Sequence, residues 1–174
     1  YFYNVDWGDG MTDTDVTGDI THTYATPGTY TVSITGAFPR IYFNAASYRP
    51  DKDSRKLLTV EQWGNIGWAS MASAFSGCVN LRINAVDAPD LTNVTSMSEM
   101  FYEASVMDDN INHWNVSNVT SMFRTFNNAE AFNQPLDGWD VSNVTDMTDM
   151  FAYASSFNQN ISSWIVDNVQ YMSS

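Results

Sequence analysis

Apolar positions recur at a fixed interval along most of the chain. Trp114, Trp139 and Trp164 fall 25 residues apart, Met97, Met122, Met147 and Met172 keep the same interval, and so does a polar column of Asn93, Asn118, Asn143 and Asn168. An interval of this length marks units that each bury an apolar face only against their neighbours, which predicts a solenoid. Two shorter periods alternate inside each unit. Trp139 and Val141 sit two apart, as on one face of an extended segment, whereas Met147, Met150, Phe151 and Ala154 follow the i, i+3, i+4, i+7 spacing of a helical stripe. The predicted fold is therefore α/β: four to five coils of short strand plus short helix over residues 60–174, truncated at the C-terminus.

Each column then receives a role. Trp63, Trp114, Trp139 and Trp164 are in phase with Val141 and Leu136, which assigns them to the core rather than to an external stacking platform. Asn93, Asn118, Asn143 and Asn168 form a structural ladder, pointing inward at the strand end where an amide can satisfy backbone groups of adjacent coils. Thr95, Thr120 and Thr145 fall where a helix cap is wanted. Cys78 shares a column with Ala104, Ala129 and Ala154, a place for a small buried side chain and an inert thiol. Earlier in the chain Val60, Trp63, Met71, Phe75 and Leu81 match Val86, Pro89, Met97, Phe101 and Met107 at 26 residues.

The string Trp139-Asp140-Val141-Ser142-Asn143-Val144-Thr145-Asp146-Met147, with Met150-Phe151 and Ser156-Phe157-Asn158-Gln159, resembles the 25-residue repeat of BspA-like bacterial surface proteins. The resemblance covers about residues 60–174. It implies a leucine-rich-repeat-like solenoid on secreted or cell-surface proteins associated with attachment, and it carries no catalytic residues. Pro89 departs from it at a Trp position, and Gly67 at an Asn position.

The beginning of the chain is of another kind. Asp6-Trp7-Gly8-Asp9-Gly10, His22-Thr23-Tyr24 and Pro27-Gly28 followed by Thr29-Tyr30-Thr31-Val32-Ser33-Ile34 are similar to the second half of a PKD domain, an extracellular β-sandwich. Pro27-Gly28 suits the centre of a type II turn, and alternation through Tyr30, Val32 and Ile34 predicts the strand after it. Residues 1–36 are thus expected to form an N-terminal antiparallel β cap on the first coil, with 37–59 as a connector. Since the chain opens on Tyr1 and stops inside a repeat, it reads as an excised fragment whose missing targeting signals carry no weight. Tyr171 and Met172 begin another unit, which predicts further coils in a parent protein or self-association through the uncapped last coil.

Charge narrows the partners. Twenty acidic residues against seven basic ones give a net charge of −13, which repels phosphate backbones and anionic lipid surfaces. Nucleic acid is excluded on this ground, and no run of about 18 apolar residues offers a membrane-inserting span. Five of the basic residues, Arg40, Arg49, Lys52, Arg55 and Lys56, crowd together and are expected to pair with nearby acids. One cysteine excludes an internal disulfide.

Catalytic constellations are thin, so the expectation is no enzyme. His22 and His113 have no evident nucleophile or base beside them in sequence, and no phosphate loop or zinc spacing occurs. Asp6, Asp9, Asp13, Asp15 and Asp19 lie within fourteen residues and fit either solvated turn acids or a calcium loop, without the closing Glu of an EF-hand. Otherwise no cofactor is expected. What remains is the outward strand face: His113, Asn115, Ser117, Asp140, Ser142, Ser163 and Asp167. The functional expectation is a bacterial extracellular or cell-surface adhesion module binding a protein or glycan of a host, matrix or neighbouring cell through that face. The alternatives are a structural spacer in a large adhesin and, further off, an ice-binding or ordered-water surface.

Overall fold

The structure, a computed structural model, describes residues 1–43 and 53–173 and divides into two compact units, Tyr1–Pro39 and Arg40–Ser174. Arg49 and Lys52 of the basic stretch lie outside the described residues.

In the first unit, alternation in β1 (Tyr3–Asp6) buries Tyr3 and Val5 and turns Asn4 and Asp6 outward. β1 is the central strand of an antiparallel sheet in the order β2-β1-β3, flanked by β2 (Thr12–Val16) and β3 (Ser33–Gly36). The tight β1–β2 connection is closed by Trp7 N–H to the Met11 carbonyl and by two Asx contacts, Gly8 N–H to Asp6 Oδ1 and Met11 N–H to Asp9 Oδ1. Two expectations need correction here. Regular pairing begins only at Ser33, so Tyr30 and Val32 precede the strand. Gly28 is absent from the positive-φ residues, so it does not take the left-handed centre of a type II turn.

The second unit overturns the α/β, leucine-rich-repeat-like solenoid of strand-plus-helix coils. Among the described residues there is no α-helix. The only helical element is one 3-10 turn, Asp53–Lys56, and regular strands are limited to the parallel pair β4 (Thr59–Val60) and β5 (Arg82–Ile83). Regular structure among the described residues is thus nearly all β. The remainder is a succession of hydrogen-bonded turns, with single parallel bridges at Ser96–Ser121, Ser121–Asp146 and Asp146–Tyr171.

The physical reason is in the backbone. Ser73, Glu99, Arg124 and Asp149 form one column with φ between 53° and 57°, and Gly77, Glu103, Asn128 and Tyr153 form a second with φ from 58° to 77°. A left-handed residue every fourth position stops a right-handed helix from propagating. Tight turns replace it: Met100 N–H bonds Met97 O at 3.0 Å, Tyr102 bonds Glu99 at 3.2 Å, and Ala104 bonds Phe101 at 3.0 Å. The intervening N–H groups point out of the turn and bond the next repeat, as in Glu99 to Phe123 at 2.8 Å and Phe101 to Thr125 at 2.9 Å. The i, i+3, i+4, i+7 spacing specified only that these side chains share a side, and a run of alternating turns satisfies it as well as a helix does.

The core follows the columns. Met71, Met97 and Met122 are fully buried, as are Phe75, Phe101 and Phe126, and Phe126 stacks on Phe101 and Phe151 with ring centroids 5.5 Å away on each side. Trp63, Trp114 and Trp139 are buried, while Trp164 is half-buried. Val86, aligned in sequence with buried Ile111 and Leu136, is instead 95% exposed. Ile83 and Ala85 are buried nearby instead.

Candidate functional site

The segments that carry the candidate face are turns, not strands, among the described residues. The residue just before each buried Leu91, Val116 and Val141 sets the local geometry. Asn115 Oδ1 accepts the N–H (3.2 Å) and hydroxyl (2.8 Å) of Ser117, and Asp140 Oδ1 accepts Ser142 N–H at 3.0 Å. Asp90 repeats the motif toward Thr92 N–H at 3.0 Å. These are Asx turns, which short amides and carboxylates form with the backbone two residues on. Asp90, Asn115 and Asp140 therefore project outward in one row at intervals of 25 residues, all exposed. The strand-face reading is corrected accordingly: the side chains are at the surface because an Asx turn, not a pleat, puts them there.

Other members of the face are placed as follows. His113 is exposed with its imidazole 3.4 Å from the Asp87 carbonyl. Ser163 and Asp167 are exposed, Ser117 and Ser142 half-buried. The carbonyls of Ser117 and Ser142 accept the amides of Asn143 (2.8 Å) and Asn168 (2.7 Å), as Thr92 accepts Asn118 at 2.9 Å. The Asn column is hence solvent-exposed rather than inward, with the amides of Asn118, Asn143 and Asn168 reaching back to the preceding repeat. Thr95, Thr120 and Thr145 have no helix to cap. The hydroxyls of Thr120 and Thr145 instead donate to the carbonyl of the threonine one repeat earlier, at 3.1 Å each.

Sequence reasoning missed a second set of side-chain links. Asp108 Oδ1 accepts Asn133 N–H at 2.8 Å and Gln134 Nε2 at 3.0 Å, and Asn133 Oδ1 in turn accepts Asn158 N–H at 2.9 Å and Gln159 Nε2 at 3.0 Å. Asp87 does the same for the N–H groups of Trp63 and Gly64, and Asn112 for Gly138 at 2.7 Å. The signal was available as further polar residues recurring at the repeat interval. Ion pairs also cross between repeats, Arg82 to Asp109 and Arg124 to Asp149, both at 3.0 Å. Lys56 pairs with Asp53 at 2.7 Å within the basic stretch, and Arg40 lies over the Tyr42 ring.

In the first unit the five acids do not converge. Asp6, Asp9 and Asp13 are spent on Gly8 N–H, on Met11 N–H with His22, and on Trp7 Nε1 respectively, and among the described residues no three His, Cys, Asp or Glu side chains gather as a cation site would require. Asp15 stands at φ 55° with its N–H on Asn4 Oδ1, and Asp19 is exposed. His22, without an evident partner in sequence, does acquire one. Its Nε2 is 2.8 Å from Asp9 Oδ2, and its ring stacks on Trp7 at 4.7 Å with Tyr24 edge-on at 4.6 Å. These contacts tie His22 to the β1–β2 connection. Cys78 is fully buried, and burial pushes its thiol up to about 12, so it stays protonated and unreactive at neutral pH.

Four acids hold structural roles as anions. The His22 hydrogen bond holds Asp9 below the ordinary carboxylate range, assisted by Met11 N–H. Burial opposes ionisation of Asp87, but the Trp63 and Gly64 N–H donors outweigh it. Thr92 and Ser142, through side-chain and N–H hydrogen bonds, lower Asp90 and Asp140. A depressed folded-state value contributes stability that is complete above the unfolded value and is lost as pH falls through the folded one. Urea midpoints are therefore expected to hold between pH 7 and 5 and to fall below about pH 4, where unfolded-state aspartates protonate. A midpoint unchanged at pH 3 would contradict this assignment.

One concavity adjoins these repeats. A groove of about 1100 Å³ is lined by Arg124, Asn128, Phe151, Tyr153, Trp164 and Met172, among others. Residues 69–174 match a family described as Mycoplasma protein of unknown function, DUF285. No curated protein and no solved structure matches the chain.

Proposed function

The chain belongs to the DUF285 family, and we propose that it is a non-enzymatic interaction module, extracellular or on a cell surface, that binds a protein or glycan through the exposed rows of its repeats. The observation that carries the reading is the row Asp90, Asn115, Asp140, with Thr92, Ser117 and Ser142 beside it. Hydrogen-bonded neighbours in such a stack stand roughly 4.8 Å apart, so the row is a fixed, regularly spaced array of oxygen acceptors. Its order is already established before a partner arrives, which lowers the entropy cost of binding. Asp90 and Asp140 remain ionised at neutral pH, so the row favours a partner presenting cationic or hydroxyl groups. The resemblance of the repeat to BspA-like surface repeats supports the location and the attachment role.

The test compares the protein with an Asn115→Ala/Asp140→Ala variant, and with His113→Ala, on glycan arrays and on immobilised extracellular-matrix proteins. Retained folding with lost binding supports the row as the binding surface. Binding that survives all three substitutions sinks it. A spacer role is the second reading, favoured because Asn115, Asp140, Asn118 and Asn143 spend polar atoms on bonds within the chain. It predicts no binding on either surface.

A further inference from the structure

The motif Asn-x-Ser/Thr, with x other than proline, is the acceptor sequence for N-linked sugars. It occurs five times, at Asn93, Asn115, Asn118, Asn143 and Asn160, with Val or Ile between the asparagine and the hydroxyl residue. All five asparagines are exposed. A repeating chain multiplies any short motif it contains, so the motif alone selects nothing. What separates the five is how each amide is already bonded.

Asn118 and Asn143 hold Nδ2 against the carbonyls of Thr92 and Ser117, at 2.9 and 2.8 Å, so a reaction at that nitrogen must give up a bond between repeats. Asn115 is arranged the other way round. Its Oδ1 accepts the Ser117 hydroxyl at 2.8 Å and the Ser117 N–H at 3.2 Å, and among the described residues its Nδ2 donates to nothing. Val116 between them is buried, which anchors the turn that carries both side chains. Asn160 accepts only the Ser162 N–H, at 3.0 Å, and Asn93 makes neither contact. The full arrangement is confined to Asn115.

The contact has a chemical consequence. An amide nitrogen is a poor nucleophile because its lone pair is shared with the carbonyl. Two donors on Oδ1 stabilise the charge which that oxygen takes on as Nδ2 loses a proton, so the nitrogen becomes reactive more readily.

We propose that Asn115 is the acceptor for an N-linked hexose, delivered by an asparagine glycosyltransferase from a nucleotide-activated sugar. Nδ2 forms a bond to the anomeric carbon of the hexose. The bond from that carbon to the diphosphate breaks with its electron pair leaving on the nucleotide, and the Nδ2 proton passes to a base of the transferase. Oδ1 keeps both bonds to Ser117, so the turn survives the modification. A hexose there would stand in the middle of the row Asp90, Asn115, Asp140 and change what that row presents, whether or not the row binds a partner.

The test incubates the folded protein with a purified asparagine glycosyltransferase and uridine-diphosphate glucose, and maps the products by peptide mass spectrometry. The expected result is one hexose at Asn115, formed about tenfold faster than at Asn118 or Asn143, the factor that one hydrogen bond supplies. Ser117→Ala should abolish transfer, and Ser117→Thr, which keeps the hydroxyl, should restore it. In the heat-unfolded chain, where the turns are gone, the five motifs should lose this ranking. Absence of hexose on the folded protein, with the unfolded chain as proof that the enzyme is active, overturns the inference. So does labelling of any of the other four asparagines as fast as Asn115, or full transfer to Ser117→Ala.

Discussion

Replacing Phe126 with alanine should destabilise the repeats by about 3–5 kcal/mol, the range for truncating a fully buried aromatic. Phe126 is 0% exposed and central to the aromatic column. It touches Phe101 and Phe151 at 5.5 Å, Phe132 at 4.3 Å and Trp139 at 5.9 Å. Its loss removes both the transfer energy of the ring and the contacts of four others, and the neighbours are held by bonds between repeats that oppose collapse into the void. The urea midpoint measures the effect. Phe157→Ala is the comparison: its ring is half-buried and should cost clearly less. Equal losses at the two positions would show that the column is not a packed core.

Gly8→Ala should cost about 2–4 kcal/mol, because two penalties add. Gly8 has φ +77°, a conformation that costs an L residue about 1–2 kcal/mol. A Cβ there would also stand 2.5 Å from the Thr31 carbonyl oxygen, a backbone atom that cannot swing away, and overpacking of that kind adds about 1–3 kcal/mol. Gly10, two residues on, separates the terms. Its φ is +90° but a Cβ would meet nothing within 4 Å, so Gly10→Ala carries the conformational cost alone. Thermal unfolding followed by the fluorescence of Trp7, the only tryptophan among residues 1–39, compares the two. Gly10→Ala as damaging as Gly8→Ala would mean that the close approach of Thr31 is not what requires the glycine.

Much of the repeat unit's interior was legible in the sequence. The 25-residue interval identified the Met, Phe and Trp columns, and most of those side chains are buried, because burial against an identical neighbour imposes the same residue at the same place in every unit. Backbone conformation was not legible from that pattern. Side-chain spacing of three and four reports which residues share a face and leaves the sign of φ open. Glu99, Arg124 and Asp149 lie in the left-handed region with none of the usual glycine or asparagine to announce it. Gly77 and Asn128 do announce it, in a column otherwise occupied by Glu103 and Tyr153, and were the available clue against a helix. With the helix went the threonine caps, whose hydroxyls turn to a neighbouring carbonyl instead.

The candidate surface was half legible in the same sense. That Asn115, Asp140 and Asp167 face outward could be read from their places between core residues. That Asn115 and Asp140 turn the backbone through Asx contacts required knowledge of the turn. The Asp108 and Asn133 links escaped because the ladder was sought only in the Asn93 column, whereas in a stack without regular strands further backbone N–H groups between repeats need side-chain acceptors. His22 and Asp9, thirteen residues apart, meet only because the β1–β2 connection and the segment at His22 come together, which no local pattern announces.

The central claim is that the Met–Phe segments are alternating turns joined to the next repeat by one-way backbone bonds. The most direct measurement is the through-hydrogen-bond NMR coupling from amide nitrogen to carbonyl carbon in uniformly labelled protein. Couplings from Glu99 to Phe123, Phe101 to Thr125 and Phe126 to Met150 are the expected result. Couplings confined within each segment, from residue i to i−4, would reveal helices there and contradict the account.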